Sequence, residues 1–124
     1  MTSAGGAGVE FTVERINSVV LVVIKGDRLD ANNSNIFKRA MEPVLAGSAQ
    51  AVIDLGAVRF MDSSGLGALL SCLRRMNAAG GALRLAALQR PVRAVMEMVR
   101  MHRVFDIYDT RDAALSDAEK AGAA

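Results

Sequence analysis

The sequence holds one cysteine, one histidine, no tryptophan and only 4% aromatic residues. A lone Cys72 excludes an internal disulfide and a cysteine-based zinc site. A lone His102 excludes a two-histidine metal site and leaves one imidazole for any acid–base chemistry. So few aromatics argue against a stacking platform for single-stranded nucleic acid. Neither sign of charge dominates: 15 Lys and Arg stand against 13 Asp and Glu. The net of +2 is too weak to imply a nucleic-acid partner. Long hydrophobic runs are also missing. The longest aliphatic stretch is Val19 to Ile24, whereas a membrane span needs about 20 apolar residues. No apolar segment follows a charged start, so no signal peptide and no membrane insertion are expected, and a cytoplasmic chain is.

What the sequence does have is a core. Its 124 residues are 52% hydrophobic, enough for one domain with a buried interior. Residues 1–8 are small and Gly-rich and read as a flexible N-terminus. Val9, Phe11 and Val13 alternate with polar neighbours as in a half-buried strand. Asn17-Ser18 then turns into the β-branched run Val19 to Ile24, giving a hairpin. Lys25 to Asn33 reads as a loop. Ile36, Phe37, Ala40, Met41, Val44 and Leu45 share one helical face. Pro43, which costs about 3 kcal/mol in a helix interior, predicts a kink or early break there.

The alternation of strand and helix then repeats. Ala51 to Leu55 reads as a strand, and Leu66, Leu69, Leu70, Leu73 and Met76 as a helix face. Ala82 to Leu88 is a further strand, and Val92, Val95, Met96 and Val99 a further face, opened by Pro91. Val104 to Tyr108 fits a last short strand, and Thr110 an N-cap for a terminal helix to about Lys120. Residues 121–124 read as a tail. The fold class is α/β: one domain over residues 9–120, a mixed, roughly four-stranded sheet with about four helices.

The chemically informative segment is Arg59-Phe60-Met61-Asp62-Ser63-Ser64-Gly65-Leu66-Gly67, between a strand and a helix. Asp62, Ser63 and Ser64 are all N-cap types, and the glycines keep bulk away from the first turn. Free backbone N–H groups and the macrodipole favour negative charge there, so a phosphorylated hydroxyl would be tolerated. By spacing alone the segment is also what any capped helix presents.

A resemblance adds weight to the first reading. Val52-Ile53-Asp54-Leu55 and Phe60 through Leu69 resemble the signature of STAS domains, most of all the small bacterial anti-sigma-factor antagonists. Leu29-Asp30-Ala31, Gly80 through Leu85, Val95 through Met98 and Val104 through Tyr108 are similar to other segments of that family, so the likeness spans roughly residues 9 to 120. The resemblance implies a phosphorylation-controlled protein–protein switch with no cofactor and no metal. Its partners would be an anti-sigma factor that is also a serine kinase of the GHKL type, and a PP2C-type phosphatase. The phosphoacceptor position is Ser63; Asp62, Ser64, Gly65, Leu66 and Gly67 frame it, with Asp30 and Asn32 in the neighbouring loop. Gly26-Asp27-Arg28-Leu29-Asp30 carries one residue more than the family pattern, which leaves both Asp27 and Asp30 as candidates to face Ser63.

The chain has no phosphate-cradling Gly-rich loop of its own, so the phosphoryl group must come from a nucleotide on a partner, and Ser63 would be a substrate. Other roles fit less well. His102, beside Arg100 and Arg103, reads as a cation at a helix C-terminus rather than a base for a serine enzyme. Asp54 reads as a strand-end residue rather than an acid–base partner of Asp62. Arg84, Arg90, Arg93, Arg100 and Arg103 read as a solvated face. Met98 and Met101 are candidates to leave the core face for a partner surface. An unphosphorylated scaffold subunit of a signalling or transport complex is the alternative function, and a homodimer stays open.

Overall fold

The computed structural model describes residues 2–6 and 9–123. Its centre is the strand β3 (Val19–Ile24), in which every residue is buried. Such a continuous apolar run belongs to a strand covered on both faces. Alternate side chains serve two cores. Val20, Val22 and Ile24 join Phe11, Ala51, Ile53, Leu83 and Leu85 in the larger one. Val19, Leu21 and Val23 join Val52 and Ala86 in a smaller one on the other side.

Around β3 the sheet has six strands in the order β1-β2-β3-β5-β7-β8. They are β1 (Thr2–Gly6), β2 (Val9–Ile16), β3, β5 (Gln50–Asp54), β7 (Ala82–Ala86) and β8 (Asp106–Tyr108). The hairpin β2–β3 is antiparallel, with Val13 opposite Val22. From β3 onward the pairs are parallel: Leu21 faces Val52, Val52 faces Arg84, and Arg84 faces Asp106. Four strands expected from the sequence form the middle, β8 falls within the last short strand expected at Val104 to Tyr108, and β1 extends the sheet at the opposite edge.

Helices α1 (Ser34–Leu45), α2 (Ser63–Ala78) and α3 (Arg90–Met98) bury their apolar stripes in the larger core. Phe37, Met41 and Leu45 of α1 lie at i, i+4, i+8, and Phe37 meets Phe11 edge-on at 6.1 Å between ring centroids. Among the described residues, α4 (Arg111–Ala123) is the helix that covers the opposite face, burying Ala114 and Ala118 in the smaller core. Thr110 caps it, its hydroxyl accepting from Ala113 N at 3.1 Å.

Several expectations are corrected. Thr2–Gly6, read as a flexible terminus, pairs antiparallel with β2. Its Gly-rich sequence carries no apolar alternation, so the pairing rests on backbone hydrogen bonds that composition does not reveal. The expected tail from residue 121 continues α4 through Ala123. Helix α1 runs through Pro43 without ending. Proline removes one backbone donor near the last turn, and the buried Met41 and Leu45 on either side hold that turn to the core. The loop from Lys25 and the stretch before Asp62 each contain a two-residue strand, β4 (Arg28–Leu29) and β6 (Phe60–Met61), paired parallel. Val99, placed on the core face of α3, is the C-cap residue and is exposed.

Candidate functional site

The β4–β6 pair sets the site, because it brings the loop after β3 against the chain entering α2. The Asp27 carbonyl accepts Arg59 N at 2.7 Å and Phe60 N at 3.1 Å, so the two loops run side by side. At the end of that pairing stands Asp62, the N-cap of α2. One carboxylate oxygen accepts Gly65 N at 3.0 Å, satisfying a first-turn donor. The other accepts Ala31 N at 3.0 Å, across 31 residues of sequence. A single side chain therefore caps the helix and pins the neighbouring loop. The Gly65 N–H, helped by those of Ala31 and Ser64, holds the Asp62 carboxyl below its ordinary range against the opposing effect of burial.

Asp30 is turned inward. Only 5% exposed, it accepts Asn32 N on one oxygen at 3.0 Å and Arg28 Nη1 on the other at 3.3 Å. Its own N–H donates to Asn33 Oδ1 at 2.9 Å, and its carbonyl accepts Asn33 N and Ser34 N. It shapes the loop and launches α1. Asp27 is exposed and lies at the Arg59–Phe60 end. Of the two, Asp30 is the one next to Ala31, which docks on the α2 cap. Asn32 is exposed on the same loop.

Gly65 is where the two elements come closest. A Cβ built on it would lie 2.0 Å from the Leu29 carbonyl oxygen and 3.1 Å from Met61 Cγ. Only glycine allows α2 to start this near β4. Gly67, two residues on, faces open space with nothing within 4 Å, so the expected shared role of the two glycines holds for Gly65 alone. Leu66 is buried in the core and fixes the helix from below. Against these anchored neighbours, Ser63 and Ser64 are both exposed at the first turn of α2. Neither α1 nor α2 has an acidic residue in its first turn.

Sequence reasoning missed several residues of this region. Arg28 lies over the Phe60 ring at 5.0 Å, and Phe60 is 46% exposed, so an aromatic–cation pair flanks the serines. The signal was Phe60 standing two residues before Asp62. Lys38 of α1 shares a groove with Ser64, a relation no linear spacing announces. Other candidates fall elsewhere. Asp54 accepts Gly56 N at 2.8 Å and Arg111 Nε at 2.7 Å, tying β5 to α4. Arg84, expected on a solvated face, is only 7% exposed: it donates to Gln50 Oε1 at 2.6 Å and to Asp117 at 3.0 Å. His102 lies in a 3-10 turn, Met101–Arg103, with Nδ1 buried and unpartnered. Met98 is 82% exposed, whereas Met101 packs against the core. Among the described residues no three His, Cys, Asp or Glu side chains group to hold a metal, and no helix is long and apolar enough to cross a membrane.

Known proteins share this fold. The chain is 28% identical over 112 residues to an anti-sigma F factor antagonist of Paenibacillus polymyxa, covering 89% of this chain and 95% of that one. The crystal structure of an anti-sigma factor antagonist from Mycobacterium paratuberculosis superposes with a TM-score of 0.81 at 24% identity, covering 94% and 99% of the two chains. The anti-sigma factor antagonist SpoIIAA in its unphosphorylated form gives 0.74 at 21% identity, over 89% and 96%. At those identities the structural likenesses establish the fold. The STAS domain model matches residues 10–114, from the middle strands of the sheet through the start of α4, and the chain belongs to the STAS domain family.

Proposed function

We propose that this chain is an anti-sigma-factor antagonist that works as a phosphorylation-controlled switch in the cytoplasm. In this reading, unphosphorylated chain binds an anti-sigma factor that is also a GHKL-type serine kinase. Phosphorylation of Ser63 releases the kinase, a PP2C-type phosphatase reverses the modification, and transcription follows the balance. The chain is then a substrate and a binding partner, not an enzyme.

The observation that carries the reading is the exposure of Ser63 on an otherwise anchored rim. Met61, Gly65 and Leu66 around it are buried, and Asp62 is tied to both Gly65 and Ala31. A hydroxyl held this way is presented to a modifying enzyme without local unfolding. A phosphate there adds about −1.5 to −2 charges. The helix N-terminus favours that charge by about 0.3–1 kcal/mol at an exposed position, so the fold is expected to survive it. Binding is different. A docked partner must desolvate the rim, and burying an unpaired dianion costs several kcal/mol. Release therefore needs no refolding.

The test is incubation with ATP and the cognate GHKL kinase. A mass gain of about 80 Da mapped to the Ser63 hydroxyl, with no label at position 63 in Ser63→Ala, is the expected result. A chain that binds the kinase and is never labelled would overturn the switch in favour of an unphosphorylated scaffold.

A further inference from the structure

Ser63 and Ser64 are adjacent and both exposed, yet they border different surroundings. Ser64 lines a groove of about 270 Å³ between the starts of α1 and α2; Ser63 does not. Ser34, Asn35 and Lys38 of α1 form one wall, and Ser64, Gly67 and Ser71 of α2 much of the other. Besides the Ser64 hydroxyl itself, the lining therefore offers one ammonium, one amide and two hydroxyls, and no carboxylate. Ser34 is itself only 5% exposed, so the wall is part of the packed structure and not a loose surface group. Lys38 has no ion-pair partner among the described residues. Gly67 has nothing within 4 Å of where a Cβ would lie, which keeps the groove open directly beside Ser64.

We propose that Ser64 is a second phosphoacceptor whose phosphate is held in this groove by Lys38, Asn35 and the wall hydroxyls. A phosphomonoester dianion needs one strong cation and several donors, and the groove supplies both within reach of the Ser64 side chain. In the transfer, Ser64 Oγ bonds to the γ-phosphorus of a nucleoside triphosphate carried by a kinase. The β–γ bridging P–O bond breaks, the diphosphate leaves, and the hydroxyl proton passes to a base on that kinase. The two modifications then differ in kind. A phosphate on Ser63 stands at the rim beside the Asp62 carboxylate and repels a docking partner. One on Ser64 is drawn toward α1 and its charge is partly offset there by Lys38, bridging the two helices. This inference deepens the proposed switch and rests on it for the visit of a kinase, but the groove's affinity for the phosphate is tested without one.

The experiment places phosphoserine at position 63 or 64 by site-specific incorporation into the full chain and follows each 31P resonance with pH. Lys38 of α1 is the charged group in the groove lining; Glu42 of α1 and Arg75 of α2 share an adjoining pocket with Lys38 and Ser71, Asp62 caps α2 through Gly65 N, and Asp30 is engaged by Arg28 and Asn32 N. The expected result is that the second ionisation of phosphoserine 64 lies below that of phosphoserine 63 by about one pH unit. Lys38→Met raises it at position 64 and leaves position 63 unmoved, and Lys38→Arg restores it. Lys38 is exposed, so neither change endangers folding. A Lys38→Met variant that leaves position 64 unmoved, or shifts both positions alike, overturns the proposal. Failure of the switch reading shows elsewhere, as absent labelling of Ser63 by the kinase, so the two are told apart.

Discussion

Replacing Gly65 by alanine tests the geometry on which the site depends. The added Cβ would meet the Leu29 carbonyl oxygen at 2.0 Å and its carbon at 2.8 Å. Both lie far inside the roughly 3.5 Å at which nonbonded heavy atoms are at ease. The obstacle is backbone in β4, so no rotamer change relieves it. Helix α2 must back away, which strains the packing of Leu66 and Leu69 and pulls Gly65 N from the Asp62 carboxylate. Overpacking of this kind costs about 1–3 kcal/mol and a lost cap about 1 kcal/mol more, so Gly65→Ala should lose about 2–4 kcal/mol. In urea unfolding, the midpoint should fall by on the order of 1–2 M with the slope unchanged. Gly67→Ala is the internal control. With open space around it in a helix interior, alanine there should gain about 0.5–1 kcal/mol. Opposite signs two residues apart are the expected result. A Gly65→Ala protein as stable as the parent, or two variants that move together, would refute the close approach of α2 to β4.

Other consequences follow from particular contacts. Asp62→Ala should cost about 0.5–2 kcal/mol at neutral pH in thermal or urea unfolding, from the lost cap. Because the folded Asp62 carboxyl titrates below its unfolded value, its contribution is present above about pH 4 and disappears as pH falls through the folded value. The gap between parent and Asp62→Ala should therefore narrow in acid; a gap that widens there contradicts the cap. Arg84→Met should destabilise by about 1–3 kcal/mol, since it strands the buried Gln50 acceptor and frees Asp117, which also accepts from the Tyr108 hydroxyl. A neutral outcome in calorimetry would mean that the network does not hold α4 to the sheet. Burial pushes the Cys72 thiol up to about 12, so a thiol reagent at pH 8 should label it only after denaturant is added; rapid labelling of native protein contradicts its packing.

Long periodic segments were legible in the sequence because burial writes itself into spacing. The six apolar residues of β3, the Phe37–Met41–Leu45 stripe of α1 and the leucines of α2 are examples. Ser63 and its frame were legible as a cap followed by small residues, strengthened by resemblance. What could not be read is what distance makes. Arg28–Leu29 and Phe60–Met61 are too short to show any period, yet their pairing sets the two loops against each other. Arg84 looked like the polar half of an alternating strand, but its sheet is covered on both faces, and its buried guanidinium reaches Gln50 and a half-exposed carboxylate of α4. Gly65 and Gly67 look alike in one dimension; only the backbone of Leu29 distinguishes them. The inward turn of Asp30 and the nearness of Lys38 to Ser64 are likewise properties of packed loops and helices, not of spacing.

The most direct measurement is a binding titration of the cognate anti-sigma factor against two forms of the full chain, one unmodified and one carrying stoichiometric phosphoserine at position 63. With a penalty of several kcal/mol for burying the dianion, the account expects the modified form to bind at least about a hundredfold more weakly, with an unchanged circular dichroism spectrum. Equal dissociation constants for the two forms would contradict it.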